Sequence, residues 1–204
     1  MRALFAALTV TVAAGVHHTA AGNAAAHTAL LTHSDLGAAW ITGATPKKVG
    51  SLVCSGTSSV KGVTETGAAV GPTYRRSAAG PFVSESTFVY DSAVGAARYY
   101  GQVARPNALA CLAQGLILGG NPAKGVSFTV TKRLALVAPH VSAAAVEYRV
   151  IGRAVTQAQR VTVYLDVVLL QKGATISELA FSSFSAPVSA GEELRIARAA
   201  TARL

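Results

Sequence analysis

Residues 159–171 constrain the fold of this chain more than any other stretch. Val161, Val163, Leu165, Val167 and Leu169 form an unbroken apolar row at a spacing of two, with Thr162, Tyr164 and Asp166 between them. Side chains alternate across a strand and not along a helix, so this pattern predicts a strand with one dry face. The preceding stretch, 144–153, alternates in the same way. Val146, Tyr148 and Val150 fall on one side and Glu147, Arg149 and Arg153 on the other. Residues 154–158 suit a hairpin connection, and Lys172-Gly173 a tight turn into another strand at about 174–184. Three strands joined by short connections form an antiparallel meander. A further strand is predicted over 125–137.

Helices then have to cover the apolar sheet face. Residues 82–90 (FVSESTFVY) read as a strand, and Asp91 or Ser92 caps a helix reaching about Ala104. Pro106 stops that helix. Asn107 starts a second one, Ala108 to about Leu118, which carries Cys111 and ends at Gly119-Gly120-Asn121-Pro122. Ser189 and Glu192 match a capping box, which opens a terminal helix. Glu192 and Glu193 suit the positive end of its dipole. Near the start, Ser34 or Asp35 caps a short helix that includes Leu36 and Trp40. Residues 43–81 read as irregular, with one short strand near Leu52-Val53. The order β-α-α-β-β-β-β-α therefore predicts an α+β fold, with an antiparallel sheet and helices packed on one face.

The amino terminus reads as an export signal. Arg2 is followed by an uncharged, mostly apolar run over 3–16, and then by small residues ending in Ala24-Ala25-Ala26. That run is short of the roughly 20 apolar residues a spanning helix needs. The expectation is a signal peptide over 1–26, cut after Ala26 or, second, after Ala21. A single domain over 27–204 would then be secreted or held in the extracytoplasmic envelope, with no transmembrane segment. In that oxidising setting Cys54 and Cys111 are expected to pair, a bridge worth ~4 kcal/mol in the chain-entropy account. Two free thiols or a metal site are the alternatives, and two cysteines without clustered histidines make a poor zinc site.

The chain carries a formal charge of +9 at pH 7. Its basic residues are dispersed, with pairs only at Lys47-Lys48, Arg75-Arg76 and Lys132-Arg133. No dense basic helix or aromatic array points to nucleic acid. An acidic cell-surface polymer is the partner class this charge suits. No nucleophile elbow, phosphate loop or dinucleotide fingerprint occurs, so no catalytic residue, metal or cofactor is assigned.

In pattern and order the chain resembles the PknH-like extracellular sensor domain of actinobacterial proteins. The stretches that carry the resemblance are LLTHSDL…W, FVSESTFVYDSAVGAARYY, ALACLAQG and VTVYLDVVLLQKGATISELAF, with a terminal helix after them. It spans about residues 30–203. It implies an antiparallel sheet with helices on one side and a cleft for an unidentified ligand. The family's prototype has two disulfides, where this chain has two cysteines.

Two functional classes follow, a noncatalytic binding or sensor-like domain and a hydrolase acting on an envelope ester or glycan. A structural or adhesive envelope protein is a third. Glu147 and Asp166 are candidates for a convergent carboxylate pair, and Arg149 can instead pair with Asp166 across the hairpin. The polar face of the meander is expected to be partly solvated and to form the wall of a groove. Arg149, Arg153, Tyr164 and Asp166 are its candidate ligand-binding residues. The expected ligand is a small amphipathic or anionic molecule or an envelope component, and the expected state is a monomer.

Overall fold

The computed structural model describes residues 8–10, 15–45, 50–52, 60–105, 111, 127–155, 159–184 and 186–204. The protein is α+β and built on a nine-stranded sheet. In chain order its elements are β1 (Leu8–Val10), β2 (Gly15–Val16), α1 (Ala20–Ala29), α2 (His33–Leu36), β3 (Ile41–Thr42), β4 (Gly50–Leu52), β5 (Thr64–Val70), β6 (Tyr74–Arg75) and β7 (Phe82–Tyr90). There follow α3 (Ala93–Val103), β8 (Ser127–Leu136), β9 (Ala144–Val155), β10 (Arg160–Lys172), β11 (Thr175–Phe184) and α4 (Ala190–Arg203). The main sheet runs β2-β5-β7-β11-β10-β9-β8. β6 adds to β7 and β3 to β6, while β1 and β4 pair separately. Every pairing in the main sheet is antiparallel except β2 with β5.

Strands β8 to β11 form the meander expected from the alternating pattern. Gly173 turns β10 into β11 at φ 58°, a conformation a residue with a Cβ rarely adopts. Ser92 caps α3 by accepting from the Gly95 amide at 3.0 Å. Ser189 caps α4, taking the Glu192 amide at 3.3 Å. The second helix expected over 108–118 lies outside the described residues apart from Cys111.

Helices cover both faces of the sheet, not one. On the first face α3 packs over Phe88, Tyr90, Tyr148, Val150, Leu165, Val167, Leu169 and Ile176, with buried Cys111 in the same cluster. On the second, α2 and α4 pack over Val83, Val168, Leu170, Leu179 and Phe181. α1 lies against β5 and β7 on that second side, through Ala26, Leu30, Ala69 and Val89. The reason is visible in β10: Val168 and Leu170 are apolar and buried on the face that polar Tyr164 and Asp166 share. Exposing two such side chains would forgo ~1.5–3 kcal/mol each.

The Ala24-Ala25-Ala26 stretch lies inside α1. Ala26 is fully buried, and its carbonyl accepts from the Thr87 hydroxyl at 2.7 Å. Asn23 Oδ1 accepts from the Ala68 amide at 3.2 Å. α1 and β5 approach so closely that a Cβ on Gly22 would stand 2.1 Å from the Thr66 carbonyl oxygen. A cut after Ala26 would divide this helix and remove all three of those contacts. β5 itself occupies part of the 43–81 stretch read as irregular.

Candidate functional site

Antiparallel register sets Arg149 on β9 directly opposite Asp166 on β10. Arg149 Nε donates to Asp166 Oδ1 at 2.5 Å and Nη2 to Oδ2 at 2.8 Å, a bidentate pair. Asp166 is 1% exposed. Glu147 lies two residues before Arg149 on the same face, opposite Val168, and is buried too. The first turn of α4 closes over this group. Its Glu193 stands with Oε1 3.8 Å from Arg149 Nη2.

Three carboxyl groups thus share one guanidinium away from water. Burial drives the Glu193 carboxyl up to about 9, aided by a hydrogen bond shared with Asp166 and by the Asp166 and Glu147 charges; Arg149 opposes this. Burial likewise pushes Glu147 up to about 7, with Asp166 adding to the rise and Arg149 reducing it. The bond to Asp166 holds the Arg149 guanidinium more firmly protonated than usual. Around neutral pH the cluster therefore retains a proton at Glu193. Glu193 Oε1 is buried with no hydrogen-bond partner.

Beside the cluster lies a cavity of about 310 Å³. Leu136, Val137, Pro139 and His140 wall it from the end of β8 and the connection to β9. Glu147 and Arg149 form its floor, and Ala190, Glu193 and Leu194 its α4 side. Apolar walls with a few converging polar groups are the composition of a small-molecule site. A second cavity, of about 420 Å³, opens beside Arg76, Pro81, Phe184 and Glu192. Its charges are mutually satisfied. Arg76 bonds Glu192 at 2.8 Å and stacks 5.2 Å over the Trp40 ring, and Arg195 bonds Glu192 at 2.9 Å.

A third polar group, Glu85, is structural. Its carboxylate accepts the Leu31 amide at 2.5 Å and the Ser177 hydroxyl at 2.6 Å, tying β7 and β11 to the α1–α2 junction. Burial pushes it up to about 7, and those two bonds resist the shift. Among the described residues, no group of His, Cys, Asp or Glu is placed to hold a metal ion.

The four candidate residues divide in two. Arg149 and Asp166 meet beneath α4. Arg153 is exposed, opposite exposed Thr162, and Tyr164 is half-buried; neither lines the cavity. The expected partly solvated face is dry where Glu147, Arg149 and Asp166 stand, because α4 covers it. Cys54 lies outside the described residues; Cys111 is 8% exposed, and no cysteine among the described residues is free. Glu193 belongs to the site, although its sequence position suggested only a match to the helix dipole. A signal for it exists: residues 193, 196, 197, 200 and 201 form one helical stripe, and all five are buried.

Neither the comparison with protein-family models nor that with curated proteins finds a match. No helix among the described residues is long and apolar enough to cross a membrane.

Proposed function

We propose that this chain is a noncatalytic binding domain, sensor-like in character, that acts outside the cytoplasmic membrane and holds a small molecule in the cavity beneath the first turn of α4. One observation carries this reading. The wall of a preformed cavity contains a buried carboxyl, Glu193, whose Oε1 makes no hydrogen bond and stands 3.8 Å from the Arg149 guanidinium. A buried polar atom left unpaired costs ~1–3 kcal/mol, and a ligand donor would recover part of that. The resemblance to PknH-like sensor domains, with their implied cleft, supports the same reading. The binding class is favoured over a hydrolase because the convergent pair expected of Glu147 and Asp166 is not free for chemistry: Asp166 is bonded to Arg149 and closed to solvent.

Export is supported by the charged, apolar and small-residue order at the amino terminus and by the cysteine pair Cys54–Cys111, whose linkage nonreducing peptide mapping would reveal. The packing of α1 favours a processed start ahead of Thr19 over one at His27. The net charge of +9 suits a location against acidic envelope polymers.

The site is tested by NMR screening of a fragment library against the wild type and Ala190→Trp, whose indole would fill the cavity from its exposed rim. Bound fragments should shift the amide signals of Val137, His140, Glu193 and Leu194, and should lose that effect in the variant. Fragments that bind elsewhere, or that persist unchanged in Ala190→Trp, would remove this cavity as the site.

A further inference from the structure

The surface is more basic than the net charge of +9 conveys. Of the nine acidic residues, Glu65, Glu85, Glu147, Asp166, Glu178 and Glu193 are buried. Asp35 and Glu192 are ion-paired, the first to Arg203 and the second to Arg76 and Arg195. Asp91 alone remains, exposed at the entry to α3. Among the described residues no lysine or arginine is buried. We propose that the end of the meander left open by α4 is a docking surface for a linear acidic polysaccharide, held by Lys132, Arg153 and Arg160. Such a polymer rests on the envelope location proposed above; the cavity plays no part in it.

Strand register lines these cations up. Lys132 lies opposite Ile151, Arg153 follows two residues along β9, and Arg160 lies opposite Val155. Directly opposed residues share a face, as do residues two apart, so all three stand on the side that holds Arg149. The register shift at Thr131 decides this for Lys132: without the extra residue it would fall opposite Val150, under α3. The three form a diagonal across β8, β9 and β10. Its steps are about 8 Å, from a rise of about 7 Å per two residues and a strand spacing of about 5 Å. All three are exposed, and among the described residues none forms an ion pair. Guanidinium groups match carboxylates bidentately. Exposed Thr129 and Thr162 flank Arg153 with hydroxyls, and half-buried Tyr164 adds an amphipathic ring beside Ile151, a mixed surface like that of a sugar. A lipid surface would call for protruding apolar groups, and the exposed large ones, Val16, Ile41, Val94 and Val137, lie elsewhere. Nucleic acid would call for a series of stacking aromatics, and this stretch has Tyr164 alone.

The probe is polygalacturonate, titrated by calorimetry into the full chain at low ionic strength, with neutral dextran as the control. The polyuronate should bind and weaken as salt is raised, because exposed charges are screened; dextran should not bind. The triple variant Lys132→Gln, Arg153→Gln, Arg160→Gln should weaken the polyuronate about tenfold. A second triple variant, Lys61→Gln, Arg98→Gln, Arg105→Gln, removes the same charge from exposed sites outside this face and should weaken it far less. Equal losses in the two variants would assign the binding to bulk charge and overturn the surface. Absence of polyuronate binding would overturn it too. A single-stranded oligonucleotide or phosphatidylglycerol vesicles that bind more tightly, and lose binding in the first variant, would overturn the polysaccharide assignment. The fragment screen of the cavity reads a different variant, Ala190→Trp, so either reading can fail without the other.

Discussion

Both faces of β9 and β10 are covered by a helix, and they differ in what that helix covers. Under α3, Tyr148, Val150, Val163, Leu165, Val167 and Leu169 are all apolar and buried. Under α4, Val168 and Leu170 give way to Glu147, Arg149 and Asp166. Removing the first set from water is favourable at ~25 cal/mol per Å². Removing the second set is costly, and one guanidinium has to offset the desolvation of three carboxyl groups. Burial by itself therefore says little about where the molecule draws its stability. The face that gains least from being covered also holds the cavity, and there a ligand could change the balance of charge.

The largest effect should come from Arg149→Met. Without the guanidinium, Asp166 stays 1% exposed beside Glu147 and Glu193 with no cation to offset them. Breaking a buried ion pair from one side costs ~3–5 kcal/mol, which urea denaturation would measure. Adding Asp166→Leu to the same chain should restore most of the loss, because an apolar pair of similar volume needs no desolvation. A cost under about 1 kcal/mol for the single variant would mean the cluster is effectively hydrated, and the contrast between the faces would collapse.

Glu193→Gln should sharpen the contrast through pH. The folded carboxyl is pushed up to about 9, above the unfolded value of about 4.3. Its contribution to stability is thus complete below about pH 4.3 and is lost as pH rises toward 9, because the unfolded chain then releases a proton that the folded one keeps. Glu147, pushed up to about 7, follows the same sign over a narrower window. The amide cannot ionise and escapes that loss. Since part of the rise comes from the Asp166 and Glu147 charges around Glu193, the expected gain is modest: ~1–2 kcal/mol at pH 8, or about 2–8 °C in Tm, shrinking toward zero at pH 4. Calorimetric melting of both proteins across that range is the measurement. Parallel curves would place Glu193 in ordinary solvent.

The contrast was partly legible in the sequence. Period-two alternation gave β7 and β9 to β11 to within a residue or two, and the register that joins Arg149 to Asp166 follows from it. α3 and α4 were marked by Ser92 and Ser189. What escaped was built from small residues. α1 and β5 are rich in alanine and glycine and carry little periodic signal; they are held by backbone approach at Gly22 and Gly67, which no hydropathy pattern records. One-sided coverage was inferred from Thr162, Tyr164 and Asp166, yet the run Val167-Val168-Leu169-Leu170 breaks alternation and marks a strand buried on both sides. Glu193 was read from charge near a helix end, when its place on the buried stripe decides its environment.

Arg153→Ala should have the smallest effect, and for that reason it isolates the cause of the contrast. Arg153 and Arg149 are the same residue type on the same face of the same strand. Arg149 lies opposite buried Asp166, and Arg153 opposite exposed Thr162. Both were equal candidates while only strand periodicity was considered. α4 separates them: its first turn closes over Arg149, and Arg153 remains in solvent, where an exposed substitution changes stability by no more than about 0.5 kcal/mol. The urea midpoint of Arg153→Ala should therefore coincide with that of the wild type at pH 5 and at pH 8. A loss above about 1 kcal/mol, or one that varies with pH, would show the ionic character extending along the whole strand face. Coverage by α4 would then no longer explain why Arg149 is critical, and the cluster would have to be redrawn to include Thr162 and Tyr164.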